Sequence, residues 1–288
     1  MVSNLLYFGY GSNLNQNDWV QWCMKKGYDV PALMPVEAAW LPAHSLRFHY
    51  RSIGRGGGAA DVVPDQTGTA VPGMLFSLDE EAWGRLDEKE GHPRFYRRCP
   101  VQVVTKSGTV TEAITYVVVP ERKRGHLVPP STDYYGVVLE GLKNHDLPIE
   151  HLKKSIEIYE ANSTLQHVFV YGTLMEGEQR WSQMRPWSAG SRRGTVSGSL
   201  YHLGACPGMQ LGDAGEVHGE LHRVDDIANA LSVFDQIEGC DPVNPRNGLY
   251  LRLPVYVCVE DKRVWAWAYV INRLPSNAKR LEDGRWVN

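Results

Sequence analysis

The chain alternates between short apolar runs and polar or glycine-rich turns. Six runs rich in β-branched and aromatic residues predict strands; they cover residues 5–10, 101–104, 113–119, 168–171, 255–259 and 264–271. Helical periodicity is sparser. Asn15 or Asn17 is suited to cap a short helix over residues 19–26, and Pro148 to open a second helix. In that second helix Ile149, Leu152, Ile156 and Tyr159 share one face.

The order of these elements predicts the fold class. Strands outnumber helices, and few strand–helix–strand alternations are visible, so an α+β fold with a mixed sheet is expected. With 288 residues the chain is long enough for one or two domains that bury a core without disulfides.

Five short segments occur twice in the same order. Their offsets lie between 146 and 161 residues, and Gly73 pairs with Gly219. The pairs are 5–14 with 167–174, 71–79 with 217–225, 86–91 with 234–239, 96–101 with 250–255, and 113–117 with 266–270. We therefore predict two tandem domains, 1–162 and 163–288, joined by a polar linker at 160–164. The second copy carries six extra residues in the loop-like stretch 240–248.

The charge balance, the cysteines and the lack of long apolar runs limit the kinds of partner that the protein is expected to bind. Lys and Arg number 30 against 33 Asp and Glu, a net charge of −3, so nucleic acid is not expected as a partner. The cysteines are odd in number, scattered and without a metal-ligand cluster, which predicts reduced thiols and no metal; they are Cys23, Cys99, Cys206, Cys240 and Cys258. No leader-like start and no apolar run of 18 residues is present, so we expect a cytoplasmic protein without a membrane partner.

The repeated Tyr-Gly-(Ser/Thr) turn is the first candidate for chemistry. Such a turn exposes successive backbone N–H groups, which suit a carboxylate or phosphate, although an ordinary strand-to-helix turn has the same sequence. A dinucleotide fingerprint at Gly9 and Gly11 lacks its third glycine. The run 54–58 lacks the Gly-Lys-Ser/Thr of a phosphate loop, which leaves a flexible or closely packed loop.

Glu90 and Glu238 are the second candidates. Each ends a short apolar-patterned segment and precedes a glycine, which lets the chain turn and the carboxylate point into a cavity. A single carboxylate without a partner acid, triad or metal cluster fits proton transfer. The alternative is a surface or helix-capping glutamate, but repetition in register argues against it. Arg98 and Arg252 are interpreted as pairing or loop-positioning residues without a catalytic role. No histidine repeats, so histidine catalysis is not expected.

These motifs resemble a known family. The first copy resembles gamma-glutamylcyclotransferases in Tyr10-Gly-Ser-Asn-Leu14, in segments 57–64 and 86–91, and in the tail 130–134 with Gly141 and 147–148. The second copy is similar to the gamma-glutamylamine cyclotransferase and AIG2-like branch. Its matching segments are 170–174, 207–209, 212–213, 216–219, 235–240 and 283–286.

The resemblance implies two small β-barrels with flanking helices and an enzyme that needs no cofactor. A γ-glutamyl group would cyclise to 5-oxoproline and expel an amine, with Glu90 or Glu238 as the general acid and base. The residues implied to bind substrate are Tyr10, Gly11, Ser12, Asn13, Leu14 and Tyr134 in the first copy and Tyr171, Gly172, Thr173 and Leu174 in the second.

Two hypotheses about activity follow. The leading one is a cyclotransferase acting on a small-molecule γ-glutamyl conjugate, with a deprotection step in biosynthesis as its setting. The first site is favoured as the working one, and two working sites are the next possibility. The alternative is a catalytically silent small-molecule-binding module on the same fold. No residue names the leaving amine, and the sequence specifies no oligomeric state.

Overall fold

The computed structural model describes residues 5–157, 165–242 and 244–286, apart from the side chains of residues 213 and 214. The chain divides into two compact units. Among the described residues, the first contains 5–105 and 111–157, and the second contains 106–110, 165–242 and 244–286. The linker expected at 160–164, the boundary after residue 162 and the predicted helix position Tyr159 lie outside the described residues.

The first unit is built on seven strands and four helices among the described residues. In chain order they are β1 Leu6–Gly9, α1 Gln16–Lys26, β2 Met34–Pro42, β3 His44–Ser52, β4 Gly57–Pro64, β5 Ala70–Ser77, α2 Glu80–Glu90, β6 Tyr96–Thr105, β7 Val110–Val118, α3 Thr132–Asn144 and α4 Glu150–Ser155. Five strands close a barrel in the order β1-β5-β2-β6-β7. Strand β1 pairs antiparallel with β5 and parallel with β7, so the sheet is mixed.

Gly73 on β5 lets the first barrel close tightly. The fully buried ring of Phe8 from β1 packs against this glycine, and a Cβ added to Gly73 would lie 2.6 Å from the ring and overlap the carbonyl oxygen of Gly9. Real Cβ atoms do not approach other atoms so closely. The absence of a side chain at this position is therefore a packing requirement.

Strands β3 and β4 form a separate hairpin with a charged interior. Asp61 is fully buried; it accepts a hydrogen bond from the Val118 backbone N–H (2.9 Å), and Lys123 Nζ lies 2.9 Å and His49 Nε2 2.7 Å from its other oxygen. The run 54–58 lies at the turn and start of β4. A Cβ at Gly58 would overlap the Val128 carbonyl oxygen, so this end of the run is closely packed.

The second unit repeats the architecture. Its elements are β8 His167–Val170, α5 Trp181–Met184, β9 Ser188–His202, β10 Pro207–Val224, α6 Ile227–Glu238, β11 Tyr250–Val259, β12 Lys262–Ile271 and β13 Lys279–Leu281. The order β10-β8-β12-β11-β9 closes through pairing of β9 with β10, and β13 is added at β9. Gly219 packs under the Phe169 ring as Gly73 packs under Phe8.

The predicted fold class is confirmed: the protein is α+β, with two mixed barrels and flanking helices. All six predicted strands are present, and Asn15 caps α1 by accepting from the N–H groups of Asn17 and Asp18. The helix expected from Pro148 is shorter: it begins at Glu150 and ends at Ser155, leaving Ile156 38% exposed. Within the described residues, no helix is both long and apolar enough to cross a membrane.

Candidate active site

The Tyr-Gly turn leaves the first strand of each barrel in the same way. The hydroxyl of Tyr10 donates to the Tyr116 carbonyl, and that of Tyr171 donates to the Tyr269 carbonyl, both at 2.6 Å. The next residues form a matched turn, closed by bonds from Leu14 N to Gly11 O and from Met175 N to Gly172 O. The two tyrosine side chains therefore anchor the turn inside the barrel.

Each candidate glutamate is the last residue of a helix. Asp79 caps α2 by accepting from the Ala82 N–H, and the helix ends at Glu90. Gly91 and Gly239 follow the two glutamates with φ of 65° and 60°, in the left-handed region that favours glycine. The glycine after each glutamate thus turns the chain, as the sequence predicted, and it also ends a helix that the sequence analysis did not predict.

Asn13 brings the first turn and Glu90 together. Its Nδ2 donates to Glu90 Oε1 at 2.7 Å and to the Tyr7 hydroxyl at 2.8 Å. Asn13 and Glu90 are 77 positions apart in the chain. The fold therefore assembles the predicted turn and the predicted carboxylate into one site.

A charged network supports this turn. Arg55 donates to both oxygens of Asp18, at 2.6 and 2.7 Å, and to Ser12 Oγ at 3.0 Å. Lys89 donates to Asp18 Oδ2 at 2.8 Å and to Asn13 Oδ1 at 2.6 Å. Burial alone would raise the pKa of Asp18, but the Arg55 hydrogen bonds and the Lys89 charge lower it to about 2.

Tyr134 borders the same turn from α3. Its ring lies 5.0 Å from the Arg55 guanidinium, and its hydroxyl accepts from the Ala60 N–H at 3.2 Å. The hydroxyl is 3.8 Å from where a Cβ on Gly11 would stand. Burial raises the pKa of Tyr134 to about 12, so it stays a neutral hydroxyl at physiological pH. The segment 130–134, recognised only as a motif, contains the Ser131 cap of α3 and the start of that helix.

In the second unit the turn and the glutamate line one small cavity of about 30 Å³. This volume holds about one or two water molecules. Its walls are Phe169, Val170, Tyr171, Gly172, Thr173, Leu174, Cys206, Pro207, Glu238, Tyr250 and Tyr269. All five residues predicted for the second site are among them. Burial raises the pKa of Glu238 to about 7, partly opposed by the charge of Arg180.

Arg98 and Arg252 are pairing residues, as predicted. Arg98 donates to both oxygens of Asp87, and the Tyr116 hydroxyl donates to the same carboxylate at 2.6 Å. In the second unit Asp235 accepts from Arg252 and from the Tyr269 hydroxyl in the same arrangement. Each tyrosine is the residue whose carbonyl binds the turn tyrosine. The Tyr-Asp-Arg cluster thus ties the helix that carries the glutamate to the barrel wall.

Sequence reasoning missed four residues of the first site: Tyr7, Asp18, Arg55 and Lys89. Repetition gave no signal for Lys89, because the second copy has Ile237 at its position. Adjacency to Glu90 was the one available signal for Lys89. Among the described residues, no group of three or more His, Cys, Asp or Glu side chains is arranged to hold a metal ion.

A larger groove of about 610 Å³ lies elsewhere in the second unit. Polar and charged side chains line it, including those of Glu216, His218, Glu220 and Arg285. Its walls include Met175, whose backbone N–H closes the turn, but they contain neither residues 171–174 nor Glu238. The convergence of turn and carboxylate, rather than cavity size, therefore identifies the candidate site.

The protein thus consists of two repeated barrel domains, and each has a Tyr-Gly turn and a helix-terminal glutamate that form a candidate acid–base site. The family model described as "Gamma-glutamyl cyclotransferase, AIG2-like" matches residues 7–146 and 168–288. The chain belongs to this family, which is a family of enzymes.

Several individual proteins are similar to this chain. Over 133 residues the chain is 32% identical to the gamma-L-glutamyl-butirosin B gamma-glutamyl cyclotransferase of Niallia circulans, covering 41% of this chain and 75% of the relative. A solved gamma-glutamyl cyclotransferase is similar at 25% identity and a TM-score of 0.44, over 55% of this chain and 89% of that one. YkqA from Bacillus subtilis is 18% identical with a TM-score of 0.39, over 93% of this chain and 84% of that one.

Glu238 is expected to make stability depend on pH. The folded-state pKa of about 7 exceeds the ordinary value of 4.5, so the stabilising proton is fully bound below pH 4.5. This contribution is lost as pH rises through 7. Glu238→Gln removes the effect. Relative to this variant, wild type should lose about 2 to 3 kcal/mol of unfolding free energy between pH 4.5 and 8. Urea denaturation of both full-length proteins measures the difference; parallel pH dependences would contradict it.

Proposed function

We propose that the protein cyclises the γ-glutamyl group of a small-molecule conjugate, releasing 5-oxoproline and a free amine. The observation that carries the proposal is the 2.7 Å contact between Asn13 and Glu90. It joins the turn suited to the substrate's carboxylate with a carboxylate suited to proton transfer. The family assignment supports the same chemistry.

In the proposed reaction the substrate's own α-amine attacks its γ-carbonyl carbon and closes a five-membered ring. Glu90 accepts a proton from the attacking nitrogen. When the tetrahedral intermediate collapses, the bond to the leaving nitrogen breaks and Glu90 returns the proton to that nitrogen. No atom enters from outside the substrate, so one carboxylate suffices. Holding the chain bent supplies much of the rate through orientation.

The proposed substrate-binding residues surround Glu90 in the first unit. The backbone of the turn at Gly11, Ser12 and Asn13 would take the α-carboxylate, and Tyr134 would close the site from α3. Arg55 holds the Ser12 hydroxyl and stacks against Tyr134, which links the two sides. Because the relative from Niallia circulans is named for a γ-glutamyl conjugate of butirosin, a deprotection step in small-molecule biosynthesis is the proposed setting.

A substrate panel tests the proposal. Incubation with γ-glutamyl amides, amino acids and aminoglycoside conjugates should yield 5-oxoproline and an equimolar amine, both measured by mass spectrometry. The double variant Glu90→Gln/Glu238→Gln is the matched control and should release neither 5-oxoproline nor amine. Release of glutamate instead of 5-oxoproline would indicate hydrolysis and refute cyclisation. No product across the whole panel would refute the proposed substrate class.

A further inference from the structure

Lys89 is a buried cation one residue before the proposed base. Its side chain is only 3% exposed, and its ammonium group contacts both Asp18 and Asn13. Burial lowers the pKa of Lys89, while the charge of Asp18 opposes this change. Burying a lysine is costly, so a paired lysine at this position calls for an explanation.

The chemistry of the contact explains it. An amide presents one acceptor end and one donor end, and the two are interchanged by rotation of the side chain. The ammonium group of Lys89 is a donor only, so the amide oxygen of Asn13 must face it. Both amide hydrogens then point to the other side, where Glu90 and the Tyr7 hydroxyl accept them. These three hydrogen bonds together fix which end of the Asn13 amide faces Glu90.

We propose that Lys89 is a positioning residue, which orients the Asn13 amide so that this amide holds the Glu90 carboxylate in place. The inference rests on the proposed function, since it concerns the base of that reaction. Lys89 acts through Asn13 and does not itself exchange the proton. Its role is to prevent the amide from rotating its oxygen toward the carboxylate, where two acceptors would repel each other.

The second unit provides an internal comparison. Alignment of the repeats places Leu174 opposite Asn13 and Ile237 opposite Lys89. The second unit therefore has apolar residues at the positions of both Asn13 and Lys89. This joint replacement is expected if Lys89 serves only to orient Asn13. Glu238 accordingly sits in an apolar setting, and burial raises its pKa to about 7. The two units therefore hold the same carboxylate in different ways.

Lys89 can be replaced by methionine without leaving a buried charge unpaired. The charged and titratable groups around the Lys89–Asn13–Glu90 contact are Asp18, Arg55, Cys23, Tyr7, Tyr10, Tyr50, Tyr96 and Tyr134. In Lys89→Met the thioether chain fills most of the lysine's volume. Asp18 keeps both hydrogen bonds from Arg55, so it is not left as an unpaired buried charge. The variant is therefore expected to fold.

Nuclear magnetic resonance tests the orientation without any substrate. The side-chain amide signals of Asn13, assigned by their loss in Asn13→Leu, should show protons that exchange slowly with solvent in wild type. In Lys89→Met exchange should accelerate about tenfold, the equivalent of one lost hydrogen bond. Lys25→Met, which removes an exposed lysine of α1, is the control and should change nothing. Unchanged Asn13 exchange in Lys89→Met would overturn the proposal.

A double-mutant cycle tests the consequence for turnover. In the Glu238→Gln background, Lys89→Met and Asn13→Leu should each lower kcat about tenfold, with Lys89→Met leaving KM nearly unchanged. The double variant should lose no more than the worse single one, because Lys89 acts only through Asn13. Losses that multiply would overturn the proposal. If the background protein makes no 5-oxoproline, the function proposed for this site fails, and the amide exchange alone decides the role of Lys89.

Discussion

Glu90→Gln is expected to lower γ-glutamyl turnover by about 10² to 10⁴-fold, whereas Glu238→Gln leaves most of it intact. Glutamine keeps the size of the side chain and an oxygen that accepts from Asn13, but it cannot carry the proton. The asymmetry follows from the surroundings. Glu90 is held by a donor amide beside a polar turn and Tyr134, while Glu238 faces a cavity of about 30 Å³ with apolar walls on most sides.

The measurement is 5-oxoproline release at saturating substrate by each single variant. Glu81→Gln, on the exposed face of the same helix, is the matched control and should behave as wild type. If Glu238→Gln abolishes turnover and Glu90→Gln does not, the second unit carries the active site and the first is inactive. Equal partial losses from the two variants would mean that both sites turn over substrate.

Gly73→Ala is expected to destabilise the first unit by about 3 kcal/mol, at the upper end of the usual cost of overpacking a core. The added methyl group meets the Gly9 carbonyl oxygen and the edge of the buried Phe8 ring. A backbone atom on a paired strand cannot move aside as a flexible side chain can, so the barrel itself must distort. Urea denaturation of the full-length protein, followed by a probe in the first unit, measures the loss.

Gly84→Ala is the matched control. Gly84 lies within α2, and a Cβ there would meet no atom within 4 Å. Alanine should stabilise the helix by about 0.5 to 1 kcal/mol. Gly219→Ala should repeat the loss in the second unit, where the methyl group meets the Val170 carbonyl oxygen. Similar behaviour of Gly73→Ala and Gly84→Ala would show that the barrel tolerates the overlap.

The repeated residues made much of the fold predictable. Gly73 with Gly219, the Tyr-Gly turns and the Glu-Gly pairs occur in one order, and they mark the places where backbone geometry demands a particular residue. The hairpin of β3 and β4 was not predicted, because Asp61 and His49 are polar residues on buried strands. Their mutual contacts, invisible in the sequence, stabilise that burial. Helix α3 was missed because Gly136 and β-branched residues weaken its propensity.

The site was predictable only in part. A turn and a carboxylate could be recognised because both copies keep them. Arg55, Asp18 and Lys89 come from three separate elements, and only the folded chain brings their charges together. Long-range pairing of this kind leaves no local pattern in the sequence. Repetition also gives no signal for a residue such as Lys89, which the first copy has and the second lacks.

The Tyr-Asp-Arg cluster recurs in both units, whereas the Lys89–Asn13 pair does not. A duplicated chain of this kind separates what the scaffold demands from what the chemistry demands. Each barrel and its Tyr-Asp-Arg cluster form within one unit, so the fold of one copy does not depend on the residues beside the glutamate of the other. The tandem arrangement thus keeps one fold in two copies whose candidate sites are free to diverge.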